Sequence, residues 1–188
     1  MLYHASPTPD IKTLIPHTSN HGKPLIYFSS KRENVLVYLS NAVEKCCRER
    51  GFPHSGNYYK WASYGFTKDK LLQLDEYYPN ATPDTYKGVS GYIYTAEENS
   101  LCAPMDDIPF AFTSTGPIPV ISCEFIPDAY QALLSAAEEG KLILTSYRQN
   151  SPKMLDWIKS AVTEDYEKQS APEYLFFLKE HFDFLSDR

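Results

Sequence analysis

The stretch Leu25-Ile26-Tyr27-Phe28-Ser29-Ser30, with the run that follows it to Arg50, decides how this chain is read. Leu25 to Ser29 alternates and is rich in β-formers, the pattern of a short strand. Ser30 and Glu33 then have the spacing of a capping box, in which each side chain satisfies a free backbone N–H at a helix start. Val35, Leu36, Leu39, Val43, Cys46 and Cys47 recur on one apolar face, so a single helix is expected from Ser30 to about Arg50. Tyr27 ends the strand and Tyr38 follows eleven positions later, about three turns on by the usual helical count. Two rings so arranged either line one slot or merely pack a strand on a helix. With 15 tyrosines in the chain, the pairing alone favours the second.

On either side of this corner the chain alternates strands with helices. Leu2–Ser6 reads as a strand, ended by Pro7 and Pro9; Asp10–Leu14 as one helical turn; His17–Lys23 as a polar loop. Tyr58–Phe66 has strand composition, Lys68–Tyr78 is undecided, and Pro79–Gly88 reads as a turn-rich connector. Gly91–Ala96 and Ile118–Phe125 are strands, with an irregular stretch over Asn99–Thr115 between them. Ala129–Glu139 is a helix closed by Gly140, Leu142–Ser146 a strand, and helices open at Ser151-Pro152 and at Ala171-Pro172. The order implies an α+β fold rather than a regular βαβ repeat: a small split or curved antiparallel-rich sheet with packed helices. The expected division is a domain over 1–150 and a helical C-terminal extension over 151–188.

Composition narrows the function. At 188 residues the chain can bury a core without disulfides or metals. A net charge of -6 with scattered Lys and Arg argues against gripping nucleic acid or an anionic membrane. Cys46, Cys47, Cys102 and Cys123 form no CxxC pair and read as free thiols in a reducing compartment. No run suits a signal peptide or a membrane span, so a cytoplasmic location is expected. His17 and His21 are four apart in a proline-bounded loop without a third ligand nearby, a poor metal site. No G-x-S-x-G elbow and no glycine-rich phosphate loop occurs.

His4, in Tyr3-His4-Ala5-Ser6, can offer one donor and one acceptor, enough to hold a ribose hydroxyl. Taken singly it is more simply a core or surface histidine. Taken together, the YHAS strand, the LIYFSS strand some twenty residues on and the helix with Tyr38 resemble the NAD-binding half of the ADP-ribosyltransferase superfamily. The Tyr27–Tyr38 spacing is similar to that of the two stacking tyrosines of the poly(ADP-ribose) polymerases. The later GYIYTA and PIPVISCEF strands look like the small rifampin-modifying transferases. The resemblance covers residues 1–125 and is most specific in the first forty.

The resemblance implies an ADP-ribosyltransferase acting on NAD with an unidentified acceptor, or a nucleotide-binding or protein-interaction module of the same fold. It implies that His4 binds the nicotinamide ribose, that Tyr27 and Tyr38 sandwich the nicotinamide, and that the Ala5 backbone holds the carboxamide. The family usually has glycine where this chain has Ala5, which disfavours a positive φ there. A carboxylate near the ribose would stabilise the positive charge that grows as the nicotinamide leaves. Glu124, between Cys123 and Phe125 in an apolar strand, ranks first for this role. Asp106, Asp107, Glu97 and Glu98 are alternatives, more simply read as solvated surface acids.

Overall fold

The computed structural model describes residues 1–18, 23–56 and 63–185. In chain order the elements are strands β1 (Leu2–Ser6), β2 (Thr13–Leu14), β3 (His17–Thr18) and β4 (Pro24–Ser29), a 3₁₀ segment (Arg32–Tyr38) and helix α1 (Ala42–Arg50). Then come β5 (Ser63–Phe66), β6 (Leu72–Asp75), α2 (Ala81–Tyr86), β7 (Gly91–Ala96), β8 (Cys102–Pro104), β9 (Ala111–Ser114), β10 (Ile118–Pro119) and β11 (Ser122–Ile126). The chain ends with α3 (Ala129–Glu138), β12 (Leu142–Thr145), α4 (Pro152–Lys168) and α5 (Pro172–His181), two further short 3₁₀ turns lying at Tyr147–Gln149 and Asp183–Leu185. The class is α+β with a mostly antiparallel sheet, as expected.

Contacts divide the chain into two compact units, and the division does not follow the expected 150/151 boundary. The first holds residues 1–40, 66–72 and 87–143; the second holds 41–65, 73–86 and 144–188. The C-terminal helices therefore share a unit with α1 and α2 rather than forming an appendage of their own.

In the first unit the strands run in the order β11-β7-β1-β4-β9-β8, and β3 pairs with the outer part of β4. The four strands read from alternation thus lie side by side in one sheet. Leu2, Ile26, Phe28, Tyr94 and Ala96 point from one face into a core that Leu14 and Ile118 close from the small β10–β2 ladder. Tyr94 is fully buried, and its hydroxyl donates to the Thr8 carbonyl at 2.6 Å and accepts from the Ile11 N–H at 3.3 Å. The opposite face carries the 3₁₀ segment, whose Val35, Leu36 and Val37 are buried. A Cβ on Gly91 would come within 2.5 Å of a Leu39 methyl, so the segment's end sits directly on β7.

The structure corrects the central helix. Residues 30–50 form two helices, not one, and no Ser30 capping box forms: Lys31 is the N-cap residue and makes no side-chain capping bond. The first piece closes i to i+3 bonds, such as Leu39 N–H to Leu36 O at 3.0 Å. Val35 and Val37 lose rotamer freedom in an α-helix, and Ser40 and Asn41 compete with it through their own side chains. The break at 39–41 is also where the chain passes from the first unit to the second.

Other differences have local causes. The turn expected at Asp10–Leu14 gives way to β2, paired with β10. The Ile118–Phe125 strand is two strands, with Pro119 ending the first. The irregular Asn99–Thr115 stretch contains the β8–β9 hairpin. The Pro79–Gly88 connector contains α2, because buried Glu76 accepts the Thr82 N–H at 2.9 Å and caps the helix from outside its own sequence. Most of the expected 58–66 strand lies outside the described residues, and its end is β5.

A separate three-stranded sheet runs in the order β12-β6-β5. In the second unit α1 packs on α5 and α2. The expected apolar face of α5 is buried through Tyr174, Phe177 and Leu178, with Phe182 just beyond it. Among the described residues no helix is long and apolar enough to cross a membrane.

Candidate functional site

β1 and β4 are joined by one registered pair, Tyr3 opposite Ser29. Next to it, His4 Nδ1 lies 2.8 Å from the Tyr27 carbonyl oxygen, a side chain standing where a ladder bond would otherwise form. A carbonyl can only accept, so the Nδ1 nitrogen carries the proton. Burial lowers the His4 pKa, opposed by the bond to Tyr27 and helped by nearby His17. The neutral ring with its proton on Nδ1 presents Nε2 as an acceptor.

Strand parity separates the other expected site residues. His4 is in register with core residue Tyr94, and its ring meets Phe28 edge-on at 5.9 Å. Ile26 and Phe28 face the core, so the Tyr27 side chain leaves from the opposite face of β4. Glu124 is opposite Ile93, which is in turn opposite Ala5, whereas Cys123 is opposite Tyr94. Glu124 therefore shares the face of Ala5 and not that of His4. Two strand spacings, roughly 10 Å, separate the Glu124 and Ala5 backbones. Tyr38 ends the 3₁₀ segment and is 44% exposed.

Glu124 has a partner that the sequence reading missed. Arg32 grips it with two bonds, Nε to Oε2 at 2.8 Å and Nη2 to Oε1 at 2.6 Å. That bond depresses the Glu124 pKa and raises that of Arg32. Arg32 is also 3.8 Å from Glu33, which Lys141 reaches at 3.2 Å while pairing Glu139. The pair spans 92 positions of sequence, so only an unexplained charge on each element could have hinted at it.

The alternative acids are exposed. Glu97 and Glu98 follow the end of β7. Asp106 and Asp107 lie in the β8–β9 turn, which the Ser30 N–H holds through the Phe110 carbonyl at 2.9 Å. His17 is in β3, His21 is outside the described residues, and no group of three or more metal-capable side chains occurs among the described residues. The described cysteines are free thiols, and burial raises the Cys46 pKa to about 11. No family model matches the chain, and neither does any curated protein or solved structure.

Proposed function

We propose that the first unit is an NAD-binding module of the ADP-ribosyltransferase type, transferring ADP-ribose to an acceptor. The observation that carries the reading is His4. Its ring bridges the strand pair at the point where β1 and β4 part, with its proton committed to Tyr27 and its other nitrogen an acceptor for a ribose hydroxyl. Ala5 follows at the parting and offers backbone groups for a carboxamide. Glu124 would meet developing positive charge on the ribose, and to do so it must leave Arg32.

A second reading, a nucleotide-binding module without turnover, is favoured by two observations. The Tyr27 ring and the His4 ring leave opposite faces, and the Glu124 carboxylate is already neutralised. Calorimetry with NAD and a nicotinamide-release assay separate the readings. Transferase chemistry requires release that Glu124→Gln abolishes with NAD affinity kept, because the carboxylate is needed chiefly in the transition state. Tyr27→Ala weakens NAD about tenfold if its ring stacks the nicotinamide. NAD binding with no release in any variant selects the second reading; no NAD binding ends the transferase reading, and no binding of ADP-ribose or another nucleotide either ends both.

A further inference from the structure

The main sheet ends at β11 on one side and at β8 on the other, and the two ends are protected very differently. Strand β8 has three residues, Cys102–Pro104, and Pro104 closes it, so it offers little backbone to pair with. Strand β11 has five residues, Ser122–Ile126, and among the described residues it pairs on one side only, with β7. No Lys, Arg or Pro stands within it. Its one irregularity is at the start, where Thr95, opposite Ser122, also accepts the Ile121 N–H at 2.8 Å. Ser122, Cys123, Glu124 and Phe125 are all exposed, Phe125 at 55% with its ring 5.2 Å from that of Tyr92. A free strand edge carries a row of unpaired N–H and C=O groups, a template for another strand.

The single charge on this edge is cancelled within the chain. Arg32 holds Glu124 with two of its five N–H groups, one to each carboxylate oxygen. Its Nη1 is 3.8 Å from Glu33, beyond hydrogen-bond distance, so the guanidinium keeps donors to spare. Each Glu124 oxygen keeps a second lone pair, and both side chains reach solvent, at 31% and 51% exposure. An ion pair of this kind is complementary to a copy of itself: two of them set side by side in opposite senses alternate Arg, Glu, Arg, Glu.

We propose that β11 pairs antiparallel with β11 of a second copy of this chain, about a two-fold axis through Glu124. Among two-fold registers this one overlaps all five residues of both strands. It sets Cys123 against Phe125 of the second copy, twice, which carries the Tyr92–Phe125 ring contact across the seam. It also sets the two Glu124 carboxylates opposite each other, an arrangement that repels when the charges are bare. With an Arg32 from each chain they form the alternating ring of four. The two-fold axis closes the contact, and the short β8 edge gives no route to further growth. A five-residue seam is small, so dissociation at about 10–100 μM is expected. The pairing does not rest on the NAD reading; it holds Glu124 in its ion pair, in keeping with a module without turnover.

Sedimentation velocity on the full chain across that concentration range should show a monomer giving way to a dimer and nothing larger. Hydrogen exchange at rising concentration should protect residues 122–126 and leave 102–104 unchanged. Phe125→Lys should weaken the dimer at least tenfold. Arg32→Gln bares two opposed carboxylates and should also weaken it at least tenfold, whereas Arg32→Gln with Glu124→Gln should return it to within about threefold of the parent. All four positions of the pair lie at an exposed or half-exposed edge, and each variant is compared in samples shown to be folded by circular dichroism. A parent that stays monomeric throughout, association beyond the dimer, protection at β8 instead of β11, or a folded double variant as weak as Arg32→Gln would overturn the proposal.

Discussion

Glu76 is the position where one atom should matter most to stability. It is 7% exposed and accepts two backbone N–H groups: Thr82 through Oε1 at 2.9 Å and Tyr147 through Oε2 at 3.0 Å. Its own carbonyl accepts from Asn150 Nδ2 at 2.8 Å. The carboxylate faces the first turn of α2, where the unpaired N–H groups and the helix dipole favour a negative charge. Glu76→Gln keeps the shape but turns one acceptor into an NH₂ donor aimed at a backbone donor. A hydrogen bond to a charged group contributes about 1.5–3 kcal/mol, and a buried orphan N–H costs about 1–3. Losing one such bond, weakening the other and orphaning one N–H should together cost about 3 kcal/mol. At roughly 2–4 °C per kcal/mol for a chain of this size, the melt falls by about 6–12 °C. Native-state hydrogen exchange locates the loss: amides of α2 and residues 147–150 should exchange faster, while β1 and β7 in the other unit keep their protection. A melt within 1 °C of the parent, or loosening that begins in β1 and β7, would refute the capping role.

Arg32 and Glu124 should couple weakly, because the Glu124 side chain is 51% exposed. A double-mutant cycle should give under about 1 kcal/mol at neutral pH. Since the bond lowers the folded pKa, the coupling is full above the unfolded value and vanishes as pH falls through the folded one; coupling that persists in strong acid contradicts the assignment. Gly91→Ala forces a methyl against Leu39 and within 3.1 Å of the Ser6 carbonyl, and denaturant titration should show a loss of about 1–3 kcal/mol. Tyr78→Phe removes a buried hydroxyl that makes no bond of normal geometry, so the melting temperature should hold or rise; a fall of several degrees would reveal a partner. Tyr38→Ala removes a ring that is 44% exposed, so NAD affinity is compared in variant samples shown to be folded: lost affinity there reports stacking, and unchanged affinity excludes Tyr38 from the slot.

What could be read in advance was what periodicity encodes. β4 alternates because Ile26 and Phe28 face the core while Leu25 and Tyr27 are half-buried, and the Ser151-Pro152 start of α4 is a local signal confirmed by Ser151 Oγ accepting the Met154 N–H. What could not be read depends on partners distant in sequence. Helix α2 takes its cap from Glu76, and β2 exists because β10 lies beside it. The grouping of α5 with the segment around α1 rests on contacts such as Phe52, just beyond α1, stacked on Phe176 of α5 at 4.2 Å, which no local pattern announces.

The candidate site shows the same limit in sharper form. The eleven-residue interval from Tyr27 to Tyr38 implied a slot only if an α-helix filled it. The 3₁₀ segment rises about 2.0 Å and turns about 120° per residue, against about 1.5 Å and 100° in an α-helix. Over the six steps from Arg32 to Tyr38, that moves the ring about 3 Å farther along the axis and about 120° around it. A spacing shared with another protein therefore transfers a geometry only when the intervening residues take the same helix. The His4 bond to Tyr27 is a firmer feature, because it is made between a ring nitrogen and the main chain and does not depend on which way the tyrosine side chain points.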